Sequence, residues 1–272
     1  MKTMLVSCAA IAVLAGSALT SAQTLYATGW EAAPASPGWN TGNVAPQNAW
    51  TNFNNAGGHQ VVNSGATIAG TVVTAAAGSR FHASVPSTSA TTVFGRWSWV
   101  DLTAAWAGRT AGNDFVIVSM DMFLPTGSTA ACLHGVEGYG DSGGGAGTLF
   151  LGGFVVNPNN AGLYIEAAGG VLTQMGTVPR NTWFRVDLAY HSATGEMGLA
   201  LNGTYLGFGQ GAAATVSVSD WDLFNRNSVT GTLPGAGSNM ATDNYSVVAV
   251  PTPGAAALLG LGGLVAGRRR RN

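Results

Sequence analysis

From Asn181 to Gly209 the chain alternates. Phe184, Val186, Leu188 and Tyr190 fall on one side; Trp183, Arg185, Asp187 and His191 fall on the other. A period of two is what a half-buried strand requires. Ser192 to Gly195 then makes a turn, and Met197, Leu199 and Leu201 supply the next inward face. Asn202-Gly203 follows, a pair that accepts positive φ at both central positions of a two-residue hairpin. Thr204 to Phe208 completes a three-stranded meander.

Similar signals recur along the body. Gln23 to Trp30 reads as an opening edge strand, and His59 to Val62, Thr67 to Thr74 and Thr91 to Leu102 as further extended runs. Phe115 to Phe123 is apolar on both faces at its start, which predicts a central strand covered on both sides. Asp243 to Val250 is the final strand. Ala32 to Gln60 is loop-rich, with Pro34, Pro37 and Pro46. No stretch carries a clean helical stripe. Recurrent strands between turn signals predict an all-β body, a two-sheet antiparallel jelly-roll sandwich. Glycine, at 40 of 272 residues, is about twice its usual share of roughly 7%. Many tight turns between short strands would account for it.

The two ends differ from this body. Lys2, the apolar run Met4 to Leu19 and Thr20-Ser21-Ala22 form a secretory signal peptide over 1–22, with cleavage after Ala22. At the other end, Val250-Pro251-Thr252-Pro253 precedes 14 residues of Gly, Ala, Leu and Val, and then Arg268, Arg269, Arg270 and Arg271. As a helix, those 14 residues span about 21 Å. That is short of the roughly 30 Å hydrocarbon core. The arginines would hold the C-terminus on the cytoplasmic side, leaving the body across the membrane. The sequence thus divides into a signal helix, a sandwich domain over 23–249, and a short C-terminal apolar helix within 250–272.

Without its ends, the body keeps six arginines, no lysine and twelve acids, a net of −6. Nucleic acid and anionic lipid are poor partners for such a body. Cys8 leaves with the signal peptide, so Cys132 stands alone and reads as a small buried hydrophobe.

Two resemblances follow from these residues. The run "WFRVDLAYHSATGEMGLALNGTYL" and the opening "YATGWE…PGW…APQNAW" resemble concanavalin A-like, laminin-G-like lectin domains. That implies the same fold and, by analogy, carbohydrate binding. The proline motif, apolar segment and arginine cluster resemble the PEP-CTERM sorting signal of Gram-negative bacteria, with Pro251-Thr252-Pro253 where that family usually has Pro-Glu-Pro. This implies cutting near Val250 to Pro253 by an exosortase-like membrane enzyme. The membrane is then only a transient partner, and the body is delivered to the cell surface or exopolysaccharide.

Candidate chemistry is sparse. Trp97 and Trp99 share one side of a strand and Trp106 follows, so the three are candidates for stacking on sugar rings; the alternative is a sandwich core. Glu137 and Asp141, with His134 nearby, are the nearest approach to a glycosidase carboxylate pair, against a plain solvated loop. Asp220-Trp221-Asp222 reads as the exposed face of a strand beside one buried Trp, with a calcium or sugar site as the alternative. Four scattered histidines offer no metal-ligand spacing. The expectation is a non-catalytic protein without a cofactor, Ca2+ being the one weak candidate. Extracellular polysaccharide is its partner in that reading.

Overall fold

The structure, a computed structural model, describes residues 22–53, 59–84, 95–129, 132–141, 143, 145, 147–214, 217–227 and 239–252. The expected signal segment before Ala22, Pro253, the apolar run after it and Arg268 to Arg271 lie outside the described residues. Among those described, no helix is long and apolar enough to cross a membrane.

Two antiparallel sheets face each other. In the first, strands run in the order β16 (Thr204–Gln210), β15 (Glu196–Leu201), β14 (Trp183–His191), β9 (Phe115–Phe123), β18 (Ala241–Val250), β7 (Arg80–Ser84), β4 (His59–Asn63) and β2 (Gly42–Asn43). β1 (Gln23–Thr28) also pairs with β18. The second runs β13 (Val171–Thr177), β12 (Gly162–Ala167), β11 (Leu149–Asn157), β10 (Cys132–Asp141), β17 (Ser217–Asn227), β8 (Gly95–Trp99) and β3 (Thr51–Phe53). This is the expected jelly-roll sandwich of concanavalin A-like form.

Alternation explains the core. Phe184, Val186, Leu188 and Tyr190 of β14 point inward with Met197 and Leu199 of β15. They meet Val136, Phe154, Ile165, Trp221 and Leu223 from the second sheet. β9 is central, between β14 and β18. Its outer face is covered as well: Phe115 and Ile117 pack with Ala189, Ala200 and Val250, and Phe123 packs with Ile68 and Val73. The last two belong to a separate hairpin, β5 (Ala66–Ile68) and β6 (Thr71–Val73). The sequence reads as one extended run there, but Ala69 and Gly70 turn at φ 46° and 81° and fold it back.

The aromatic opening is also core. Trp30, Trp39 and Trp50 are buried together, with ring centroids 4.8 to 6.1 Å apart. Trp39 Nε1 donates to Thr28 Oγ1 (2.8 Å) and Trp50 Nε1 to the Tyr26 hydroxyl (2.8 Å), so their polar edges are satisfied on burial. Trp106 sits in the one α-helix among the described residues, α1 (Thr103–Ala107). It is buried at 4% exposure with the Arg109 guanidinium 3.7 Å from its ring centre. That corrects its candidacy for sugar stacking, because a ring buried in the core and capped by a guanidinium offers no open face. At the C-terminal edge, β18 runs through Val250, and the Thr252 N–H donates to the Gly112 carbonyl (3.0 Å).

Candidate functional site: an aromatic groove with a carboxyl floor

The outward face of the second sheet carries the site. Register lines up Asp222, Glu137, Gly153 and Glu166 across β17, β10, β11 and β12, and Thr51 with Trp99 across β3 and β8. The neighbouring row carries Phe53, Trp97 and Phe224. Side chains two apart on a strand share a face, so Asp220, Asp222, Phe224 and Arg226 of β17 all point outward. Trp221 and Leu223 point into the core.

A groove of about 660 Å³ opens on this face. Its walls are Phe53, Trp97, Trp99 and Tyr139, and its acids are Asp101, Asp220 and Asp222. A hollow of about 220 Å³ adjoins it through Trp97 and Tyr139 and reaches Glu137, Glu166 and Arg226. Phe53 is 56% exposed, and Trp97 and Trp99 are half-buried. The pair Trp97 and Trp99 therefore faces the groove, against the core reading.

Glu137 is the anchored acid. Its Oε2 accepts from Trp97 Nε1 (2.6 Å) and the Tyr139 hydroxyl (2.8 Å), and its Oε1 from Arg226 Nε (3.0 Å). Arg226 Nη2 also bonds Glu166 Oε1. Trp97 is fixed in turn by stacking near-parallel to Phe224, 6.5 Å between centroids, and by tilted contact with Phe53. The wall is preorganised.

The remaining acids are under electrostatic pressure. Burial, then the charge of Glu137, pushes Glu166 up to about 7 despite Arg226. Burial raises Asp220 to about 6; burial and then the neighbouring Asp220 raise Asp222 well above the carboxylate range. Oδ1 of Asp220, Oδ1 of Asp222 and Oε2 of Glu166 are buried without a hydrogen-bond partner. The expectation of an exposed acidic strand face beside Trp221 is thus corrected. The face points out of the core, but the groove walls bury Asp220 and Asp222 to 8% and 6% exposure.

The other suggested pair does not form. Glu137 lies in the floor, while Asp141 Oδ1 accepts from the N–H groups of Gly143 (2.6 Å) and Gly145 (3.0 Å) and caps a turn. His134 points to the opposite face of β10, bonded to Ser84 (3.1 Å) and Cys132 (3.2 Å). There it joins His59 and His82 inside the sandwich, an association that linear spacing concealed. Among the described residues, no group of three or more His, Cys, Asp or Glu could hold a metal ion.

Fold and groove define a two-sheet antiparallel sandwich with an aromatic, acid-lined channel on one outer face. No family model matches the chain, and no curated protein is similar to it in sequence. Among solved structures it is similar to a sialidase, at 10% identity and TM-score 0.40, covering 62% of this chain and 15% of that one. It is similar also to Trypanosoma rangeli sialidase in complex with sialic acid (11%, TM-score 0.41, 63% and 28%). A third is endo-beta-1,4-glucuronan lyase from the fungus Trichoderma reesei (12%, TM-score 0.46, 76% and 93%). The chain spans less than a third of either sialidase. At such identities and TM-scores no activity transfers.

Proposed function

We propose that this protein binds a glycan chain along the groove, as a secreted, non-catalytic component of a bacterial surface or exopolysaccharide matrix. Delivery would use the signal peptide 1–22 and a PEP-CTERM-like tail cut by an exosortase-like enzyme. The observation that carries the binding reading is the groove itself: flat aromatic walls over a floor of hydrogen-bond acceptors. Aromatic faces pack on the C–H faces of sugar rings, and carboxyl oxygens accept from their hydroxyls.

One feature supports binding over cleavage. Glu137 has both oxygens committed to Trp97, Tyr139 and Arg226, which leaves it poorly placed to attack.

Affinity electrophoresis through polysaccharide gels tests this reading, with reducing ends assayed in parallel. The parent should be retarded and Trp99→Ala should lose about tenfold or more, the scale of one anchoring aromatic. New reducing ends should not accumulate. Equal mobility of parent and variant in every gel would remove the binding reading, and reducing ends lost with Asp222→Asn would replace it with an enzyme.

A further inference from the structure

The outer face of the first sheet, opposite the groove, carries two apolar patches. One, around Phe123, lies under the β5–β6 hairpin. The other is a strip across five neighbouring strands: Val250 of β18, Phe115 and Ile117 of β9, Ala189 of β14, Ala200 of β15 and Tyr205 of β16. The first five of these residues are at most 6% exposed, and the Tyr205 hydroxyl is out of reach of solvent although β16 is an edge strand. Side chains stand roughly perpendicular to a sheet, so neighbours in the same sheet flank them without closing over their tips. Among the described residues, the apolar ones packed against the strip are Ala22, Val248 and Tyr205, which lie in strands of this sheet or directly before one. A second layer is needed to bury Phe115 and Ile117 as deeply as they are.

We propose that this layer is the C-terminal apolar segment, Gly254 to Gly267, folded back across the strip as a helix. The described chain ends at the strip: β18 brings Val250 into it, and the Thr252 N–H and hydroxyl both donate to the Gly112 carbonyl (3.0 and 3.3 Å), three residues before Phe115. The lengths match. Fourteen residues make a helix of about 21 Å, and four strand spacings from β18 to β16 cover about 19 Å. The charges match as well, because Arg268 to Arg271 follow the segment and the body holds six arginines against twelve acids. The other apolar terminus, Met4 to Leu19, leaves with the expected signal peptide. The tail is too short for the roughly 30 Å hydrocarbon core, yet it fills this seat. A cut between Val250 and Pro253 would then bare an apolar strip on the released protein.

Hydroxyl-radical footprinting of the chain from Gln23 to Asn272, the form that signal cleavage leaves, tests this without detergent. It is compared with the same chain ending at Thr252 and with Leu258→Asp/Leu261→Asp. Phe115 and Tyr205 should be labelled about fivefold or more faster in both variants, as covered side chains open to solvent. Phe154 in the core and Phe123 under the hairpin should keep their rates. Faster labelling of Phe154 would report unfolding of the shortened chain, and Leu258→Asp/Leu261→Asp then decides. Equal labelling of the strip with and without the tail overturns the inference, because the cover is then the leader or nothing. So does protection that fades on dilution, which makes a second copy the cover. A chain from Gln23 to Asn272 recovered only with detergent overturns it too, since the tail then takes lipid over the body.

Discussion

Arg226 is the residue on which the floor of the site turns. It is the guanidinium that bridges Glu137 and Glu166, and all three side chains are at most 12% exposed. Removing one member of such a buried network leaves charge uncompensated, at a cost of about 3–5 kcal/mol. Arg226→Met should therefore cost about that much at pH 8 by urea denaturation. The loss should shrink at pH 5, because Glu166, already raised to about 7, then carries a proton and needs no partner. An equal loss at both pH values would show that packing alone is at stake. Neither Arg226 nor Glu166 stood out in the sequence, since nothing local says that residues 60 positions apart meet across three strands. Trp97 and Trp99 did stand out, and the structure places both in the groove wall. Trp106, seven residues after Trp99, went to the core because a short helix turns it inward.

At the level of elements, the meander β14–β15–β16, the central β9 and the last strand were legible. Each has side chains that alternate, or a run of apolar residues too long to be half-exposed. The strands β10, β11, β12, β13 and β17 were not marked, although β10 and β17 line the groove and β12 the hollow beside it. Glycine is one reason. "CLHGVEGYGD" and "LFLGGFVVN" look like turn-rich loop, yet both are continuous strands. Gly138 is needed because a Cβ there would fall 2.5 Å from the buried Trp221 ring, and Gly153 because one would fall 2.1 Å from the Val136 carbonyl oxygen. Gly153 also leaves the gap between Glu137 and Glu166 that Arg226 spans. Glycine serves close approach within the second sheet as well as tight turns. Gly138→Ala should accordingly destabilise by about 1–3 kcal/mol, the range for overpacking. Thermal melts check it; an unchanged melting temperature would mean that the Trp221 ring yields freely.

Over the whole molecule, pH sets two groups of buried charges against each other. His59 and His82 are held neutral by burial, His82 down to about 3 and His59 well below its ordinary value. A base with depressed folded pKa contributes fully above about 6.5 and loses that contribution as pH falls toward the folded value. Asp220, Asp222, Glu166 and Asp243 behave oppositely, since their raised folded pKa values favour the folded state as pH falls from about 7 toward about 4. The parent should therefore show a shallow pH dependence in that window. His82→Gln removes one opposing proton, so its stability relative to the parent should improve by up to about 1.4 kcal/mol per pH unit on acidification from 6.5 to 4. Denaturant midpoints across pH read this directly, and parallel curves for the two proteins would refute it.

The sequence by itself determined the all-β class, the inward faces of the first sheet and the burial of Cys132, because these follow from local periodicity and composition. It also suggested tryptophans that could meet a ligand. Only the tertiary structure decided that three acids line an aromatic groove, that two more and one arginine line the hollow beside it, and that three histidines meet behind them. Their proton affinities depend on burial and on neighbours brought together by strand register, and a linear chain records neither.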